Sequence, residues 1–348
     1  MKQPVVGVFF GSRSVEHDSS IATAMAAVVK PLQLAGGYDV LPVYIAKDGH
    51  WYADKALGEE ALFAGGKINA WLRTHKPVTV SFGEGLVLRQ PGLFGGSYRI
   101  DIAFPVLRNE DDGVVAVCEL AGLPYVGCDV ATKAVATDKL LTKQVLQSAG
   151  VPVAPFKYIT KMAFEADPDE WITKINRSLH YPLHIKPARV RSGVSDVQVD
   201  RPEALVEALH ATLAKDEKAL VEEAMGHLTD VLLPILGDDE LRPALLERPG
   251  PENDGFVPAS LPERLNAKAV QTGLDAYRAL GCANMACIKL RVDAAGEKVY
   301  CEQIDPLPHN LHSYNWNMAG LSNVGLVTRL MDLAIERHSK HAQDAITG

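Results

Sequence analysis

The sequence predicts an α/β protein of more than one packed unit, and three observations carry that expectation. The first third alternates apolar runs with helical patterns: VVGVFF, IATAMAAVVKPLQLA, DVLPVYIA, RIDIAFPVL and VVAVCELAG. Alternation of this kind implies a parallel sheet with crossover helices. The chain has 348 residues, more than the roughly 250 at which a single core stops growing. Its 47% hydrophobic and 22% charged residues are ordinary for a globular chain able to bury a core.

The opening run VVGVFF reads as a first strand. It is too short for a signal sequence or a membrane span, so a cytoplasmic protein without membrane contact is expected. Gly11-Ser12-Arg13-Ser14 follows at the strand's carboxyl end, where open α/β sheets bind ligands. It does not match the GxGxxG fingerprint of dinucleotide sites. From Lys133 the texture changes to a helix, ATDKLLTKQVLQSAG, stopped by Gly150 and Pro152. A second unit begins about there. PLHIKPA and VSDVQV read as strands around a Gly-containing loop, RPEALVEALHATLAK as a helix and ALVEEAM as a further strand. ERPGPENDGFVPASLP reads as a loop and PERLNAKAVQTGLDAYRALG as an amphipathic helix. ACIKLRV and KVYCEQI are expected to form paired strands about a turn at Asp293 to Glu297, before a long helix from about Val324.

Lys plus Arg number 35 against 43 Asp plus Glu, a net charge of −8, and no basic stretch interleaves with aromatics. Nucleic acid is therefore not an expected partner. Five cysteines, Cys118, Cys128, Cys282, Cys287 and Cys301, are an odd number without a CxxC pair. Reduced, mostly buried thiols are expected rather than a disulfide framework or zinc site.

GVFFGSRSVEHDSS, FPVL, DDGVVAVCELAGLPYVGCDVATKAVATDKLLTKQVLQSAGVPVAPF, PLHIKPA, LVEE and AYRALGC with the terminal strands resemble, over nearly the whole chain, the D-alanine-D-alanine ligase family of ATP-grasp enzymes. The resemblance implies an amino-terminal Rossmann-like parallel-sheet domain at 1–130, with central and carboxyl-terminal α+β lobes at 131–224 and 225–340 and a tail at 341–348. A nucleotide would lie between the two lobes. In the family, which serves peptidoglycan biosynthesis, ATP phosphorylates the carboxylate of one D-alanine. The amine of a second then attacks the acyl phosphate, and lysines with two magnesium ions neutralise the transferring phosphoryl group. Small amino-acid substrates and a homodimer through the amino-terminal unit are implied as well.

Lys139 and Lys186 stand where the family places its phosphate-contacting lysines. A lysine is usually a solvated charge, but one inside an apolar strand motif is costly to leave unpaired. Glu222 and Glu223 resemble the hinge whose backbone faces adenine; spacing alone would make them solvated carboxylates at a strand end. Glu16 matches the glutamate that holds the amine of the first substrate, and is equally a dipole partner for the following helix. In the substrate loop Leu107-Arg108-Asn109-Glu110-Asp111-Asp112-Gly113 the family's start is lost, while Asp112 and Gly113 keep its end. Ser192 matches the first of two phosphate-loop serines.

Other positions depart from the family. Arg191 and Gly193 replace a glycine and the second serine, exchanging backbone freedom for a bulky cation. Between Leu241 and Pro258 no aromatic and basic lid is recognisable. Cys287 replaces an arginine that stabilises the tetrahedral intermediate, and Lys289 replaces a magnesium-binding aspartate. Gln303 replaces the bridging glutamate, Asp305 an asparagine ligand and His309 a glycine. Magnesium prefers carboxylate oxygens in octahedral geometry, and Gln303 offers a neutral carbonyl. Glu302 and Asp305 could hold one ion if the strand slipped by a residue, although a slip turns neighbouring side chains over. Alternatively, Lys289 could pair with Asp305 as a built-in cation. Asp305, His309 and His312 could suit a transition metal, or the histidines could be ordinary loop residues. The expectation is a degenerate family member with ATP as its nucleotide, no family-type magnesium pair and impaired D-alanine-D-alanine ligation. The alternatives are an active carboxylate-amine ligase with altered substrate or metal use, and a structural homodimer with a filled nucleotide cleft.

Overall fold

Strand β1 (Val5–Gly11) is buried along its whole length, as expected for the centre of a parallel sheet covered on both faces. The computed structural model describes residues 3–83, 85–92, 95–107, 113–189, 196–226, 228–249, 256–307 and 309–347. β2 (Asp39–Ile45) and β3 (Trp51–Ala53) come next, then a small antiparallel sheet of β4 (Thr79–Ser81), β5 (Leu86–Arg89) and β6 (Ser97–Ile100), then β7 (Ile102–Pro105). The main sheet has the order β3-β2-β1-β7, with β1 parallel to β2 and to β7. α1 (His17–Thr23), a π-helical turn at Ala24–Val29 and α2 (Lys30–Ala35) form the first crossover, with α3 (Lys67–Thr74) and α4 (Gly113–Leu120) further on. The wide turn falls just before Pro31, which lacks an N–H to continue the ladder.

The end of β1 is held tightly. Gly11 has φ 95°, and a Cβ there would lie 2.3 Å from the Ile45 carbonyl oxygen, so only glycine fits. Its N–H donates to Ser20 Oγ at 2.9 Å, and Ser12 N–H donates to Ile45 O at 2.8 Å.

The helix expected from Lys133 is two helices, α5 (Val130–Thr137) and α6 (Lys139–Ser148). Asp138 separates them with extended backbone, and its Oδ1 accepts from Leu140 N and Leu141 N at 3.0 and 3.1 Å. It is the N-cap that restarts the ladder. β8 (Phe156–Thr160), α7 (Lys161–Ala166), α8 (Pro168–Ser178), β9 (Leu183–Pro187), β10 (Val197–Val199), α9 (Leu205–Leu213) and β11 (Lys218–Glu223) complete this lobe. Its antiparallel sheet has the order β10-β9-β11-β8.

The last lobe contains β12 (Thr229–Leu236), β13 (Arg242–Pro243), β14 (Glu247–Pro249), β15 (Phe256–Pro258), α10 (Glu263–Ala279), β16 (Met285–Asp293), β17 (Lys298–Asp305), α11 (Ser313–Met318) and α12 (Asn323–Thr347). The main path of its sheet is β15-β14-β12-β16-β17. The segment read as a loop from Glu247 therefore contributes two short strands, paired Glu247 to Pro258 and Arg248 to Val257. Pro258 is tolerated because β15 is the edge strand, where one side of the backbone needs no ladder donor, and Pro249 ends β14 beyond its registered pair with β12, Leu232 to Glu247. Val231, Leu233, Ile288, Leu290, Val299, Cys301 and Ile304 form a core under α10. α12 returns to the first unit, where Val327, Leu330 and Met331 pack with Val28 and Leu32. All five cysteines are buried and free, as expected. Among the described residues no helix is long and apolar enough to cross a membrane.

Asn284 and Arg337 fasten the amino-terminal unit to the last lobe. Asn284 is fully buried at φ 60°, and its Oδ1 accepts from Gly127 N at 2.7 Å. Arg337 donates to Gly127 O and Tyr125 O, both at 2.9 Å. Replacing Asn284 by Ala strands a buried N–H and puts alanine in a left-handed conformation, together costing about 2–4 kcal/mol. The melting temperature of Asn284→Ala is expected to fall by roughly 5 °C or more, read by differential scanning fluorimetry, whereas Asn284→Gly, free of the backbone penalty, falls less.

Candidate functional site

Strand alternation sets the chemistry of the face between the two lobes. In β9 and β11, Leu183, Ile185, Ala219 and Val221 enter one core, so Lys186, Leu220 and Glu222 take the other face. Lys186 pairs in register with Leu220 and Glu222 with His184, which makes Lys186 and Glu222 diagonal neighbours. α6 adds Lys139 and, one turn later, Lys143. On the opposing sheet Val231, Leu233, Ile288 and Leu290 take the core face, leaving Asp230 of β12 and Lys289 and Arg291 of β16 on the opposite face.

These side chains form one ion-pair network. Lys143 Nζ lies 2.9 Å from Glu222 Oε2, and Lys186 contacts the same carboxylate and donates to Glu302 Oε1 at 2.8 Å. Glu302 also has Lys143 Nζ and Arg291 Nη2 at 3.9 Å each. The side chains of Lys143, Glu222, Lys186 and Glu302 are only 2%, 0%, 6% and 10% exposed, so these charges attract far more strongly than surface pairs. Asp230 accepts Lys289 Nζ at 2.8 Å and Arg291 Nε at 3.3 Å. Lys139 donates to Pro187 O at 3.0 Å, and burial lowers its pKa.

A β-bulge brings Glu302 into this network. Leu290 pairs with Cys301 and Lys289 with Gln303, leaving Glu302 as an extra residue. Val299, Cys301 and Ile304 keep the core face, so Glu302, Gln303 and Asp305 all lie off it. The pairing shifts at this single point and not along the whole strand, so the core contacts survive.

Two family models match the chain: the D-ala D-ala ligase N-terminus over residues 5–128 and the D-ala D-ala ligase C-terminus over residues 145–250. A D-alanine--D-alanine ligase of Chlorobium phaeovibrioides is 31% identical, covering 97% of this chain and 98% of its own. The chain belongs to the D-alanine-D-alanine ligase family. A second D-alanine--D-alanine ligase, from Chlorobaculum tepidum, is also 31% identical over 97% of this chain and 99% of its own. The D-alanine-D-alanine ligase structure from Coxiella burnetii superposes with TM-score 0.84 at 25% identity, covering 100% and 98% of the two chains. The ATP-grasp fold expected from the sequence is thereby established for this member of the D-alanine-D-alanine ligase family.

The structure brings together some of the sequence-selected residues and separates others. Lys139, Lys186, Glu222, Lys289 and Glu302 line the face just described. Glu223 turns away from it, its Oε1 accepting from His180 N at 2.9 Å, because neighbours on a strand without a bulge point to opposite faces. Glu16 is the half-buried N-cap residue of α1 without a side-chain cap bond, and Gly113 opens α4. Cys287 is buried and opposite Asp305, and Gln303 is exposed. Asp305 Oδ1 accepts from Leu307 N at 3.0 Å, while Lys289 pairs with Asp230 instead of Asp305. His312 contacts Glu247; the side chain of His309 and all of Asp112, Arg191, Ser192 and Gly193 lie outside the described residues. Among the described residues no group of three or more His, Cys, Asp and Glu is placed to hold a metal. Sequence reasoning missed Lys143, Arg291 and Asp230. The first two had a signal, since Lys143 is four residues after Lys139 on a helix and Arg291 two after Lys289 on a strand.

Burial would raise the pKa of Glu302, but Lys143, Lys186 and Arg291 outweigh it and hold the carboxyl at about 2, against an ordinary 4.5. Burial would likewise lower that of Lys186, but Glu222 and Glu302 push it up. A depressed carboxylate contributes stability above its unfolded pKa that disappears as pH falls through the folded value; here the difference corresponds to about 3 kcal/mol. Glu302→Gln is therefore expected to be less stable than wild type by about that amount near neutrality. Thermal melts at descending pH should show the gap closing as pH falls from about 4.5 to about 2; a gap independent of pH would contradict the ion-pair assignment.

Proposed function

We propose that this protein is a D-alanine-D-alanine ligase-like ATP-grasp member impaired in the family's magnesium-dependent ligation, with ATP or a related nucleotide as the ligand of its inter-lobe cleft. The observation that carries the reading is the pair Lys289 and Gln303, opposite each other in the terminal hairpin where the resemblance implies acidic metal ligands. An ammonium group repels a divalent cation, Gln303 offers one neutral oxygen, and the nearby Glu302 carboxylate is already surrounded by three protein cations. This donor set does not fit a magnesium pair, so no step is derived through one. Lys139 and Lys186 are the proposed phosphate contacts. Glu222 holds Lys186 in place, the backbone near Glu222 and Glu223 is the proposed adenine hinge, and Glu16 and Gly113 belong to the proposed amino-acid side. A homodimer through the amino-terminal unit, as is common in the family, completes the reading.

A second reading, an active carboxylate-amine ligase with altered metal use, is favoured by one feature. Lys186, Lys143, Arg291 and Lys289 face only the three carboxylates of Glu222, Glu302 and Asp230 in their network, and the positive remainder can neutralise part of a phosphoryl charge without metal geometry. Substrates would again be small amino acids or other carboxylates.

ADP release with ATP, magnesium and D-alanine separates the readings. The impaired protein is expected to release ADP no faster than a blank, and metal-dependent turnover would overturn the proposal. The triple variant Lys289→Asp, Gln303→Glu, Asp305→Asn is expected to gain magnesium-dependent ATP turnover if the remaining scaffold is competent, whereas continued silence assigns the loss also to the phosphate loop and lid.

A further inference from the structure

We infer that Glu302 is an intramolecular competitor for phosphate: its carboxylate occupies a cradle of Lys143, Lys186 and Arg291, and a polyphosphate that displaces it is held by those three side chains without a divalent metal. This deepens the nucleotide-cleft reading and rests on it. The residue is particular to this site. Three cations converge on one carboxylate at 2.8, 3.9 and 3.9 Å, and only the bulge between Lys289 and Leu290 places it there. Among the described residues no other carboxylate contacts all three cations.

Three features identify the cradle as an anion site rather than a closed structural pair. Its polar groups are incompletely hydrogen-bonded, and both carboxylate oxygens of Glu222 are buried without a directional hydrogen bond. Lys143 Nζ makes no directional hydrogen bond although it faces two carboxylates, and Arg291 Nη1 is buried without a hydrogen-bond partner. A phosphoryl group, with three terminal oxygens in place of two, would use both. The two glutamates also differ in exposure. The side chain of Glu222 is fully buried beside both lysines, whereas that of Glu302, from the other lobe, keeps 10% exposure. Finally, Lys289 is already neutralised by Asp230 at 2.8 Å, so the strand beside the cradle carries cations matched within the protein and asks for no metal.

A competing carboxylate must weaken binding of the ligand it resembles, and a cradle made of cations must prefer the more negative, metal-free form of that ligand. The test is calorimetric titration of the full-length protein with inorganic tripolyphosphate and with ATP, each in EDTA and again with excess magnesium. Glu302→Gln is expected to bind metal-free tripolyphosphate at least tenfold more tightly than wild type, with magnesium reducing the gain. Glu302→Asp retracts the carboxylate by one methylene and should give a smaller gain of the same sign. It serves as the test if Glu302→Gln does not melt cooperatively. Folded variants that bind no tighter than wild type, or that bind only with magnesium, overturn the inference. ADP release by the wild type with D-alanine would overturn the impaired-ligation reading instead and leave a gain in Glu302→Gln intact, so the two failures are distinguishable.

Discussion

Glu222 is a carboxylate wholly removed from water, and the cleft is arranged around that fact. Such a charge costs several kcal/mol unless close cations and hydrogen bonds compensate it. Lys143 from α6 and Lys186 from β9 supply the cations, and each would itself be costly to bury alone. The three residues therefore stand or fall together, and they fix α6 against the central sheet. Two ammonium groups beside one carboxylate leave a positive remainder. Glu302, from the other lobe, answers it, so charge balance as well as apolar packing holds the lobes in register.

The bulge in β17 reconciles two demands on one strand. The core requires Val299, Cys301 and Ile304 on the same side, which strict alternation cannot provide because the last interval is three residues. One extra residue absorbs the mismatch and leaves Glu302 and Gln303 both off the core face. Packing beneath the sheet is preserved while the chemistry above it differs. A family member can in this way keep its fold while its cleft carries a different set of charges.

Much of the fold was legible because it rests on periodicity. The buried run of β1, the alternation in β16 and the amphipathic α10 follow directly from the order of apolar residues. The break at Asp138 was not, because ATDKLLTK has helical propensity throughout and only the capping geometry of the aspartate decides for two helices. β14 and β15 were hidden by their prolines, Pro249 and Pro258, each of which ends its strand. At the cleft, Lys139 and Lys186 were recognisable from motif context. Lys143 looked like one more surface lysine because nothing local announces that Glu222, seventy-nine positions away, is buried beside it. Glu302 is visible as a carboxylate, but nothing in the order of apolar residues marks the single bulge that brings it beside Lys186.

The proposed loss of a metal pair follows from the kind of complementarity each partner demands. A divalent ion requires several oxygen ligands at fixed distances, and one ammonium in their place adds repulsion of about 8 kcal/mol at 4 Å for an effective dielectric constant near 20. Asp230 offsets part of this at Lys289, but it does so by giving its oxygens to Lys289 and Arg291, which withdraws them from any metal. Protein cations require only proximity to an anion and tolerate shifts of several tenths of an ångström. A cleft that exchanges metal for lysine and arginine can still attract a polyphosphate. It holds that ligand less rigidly, and rigid placement of the reacting atoms is what phosphoryl transfer needs most. On the proposed reading, binding of a polyphosphate does not depend on the geometry that ligation needs.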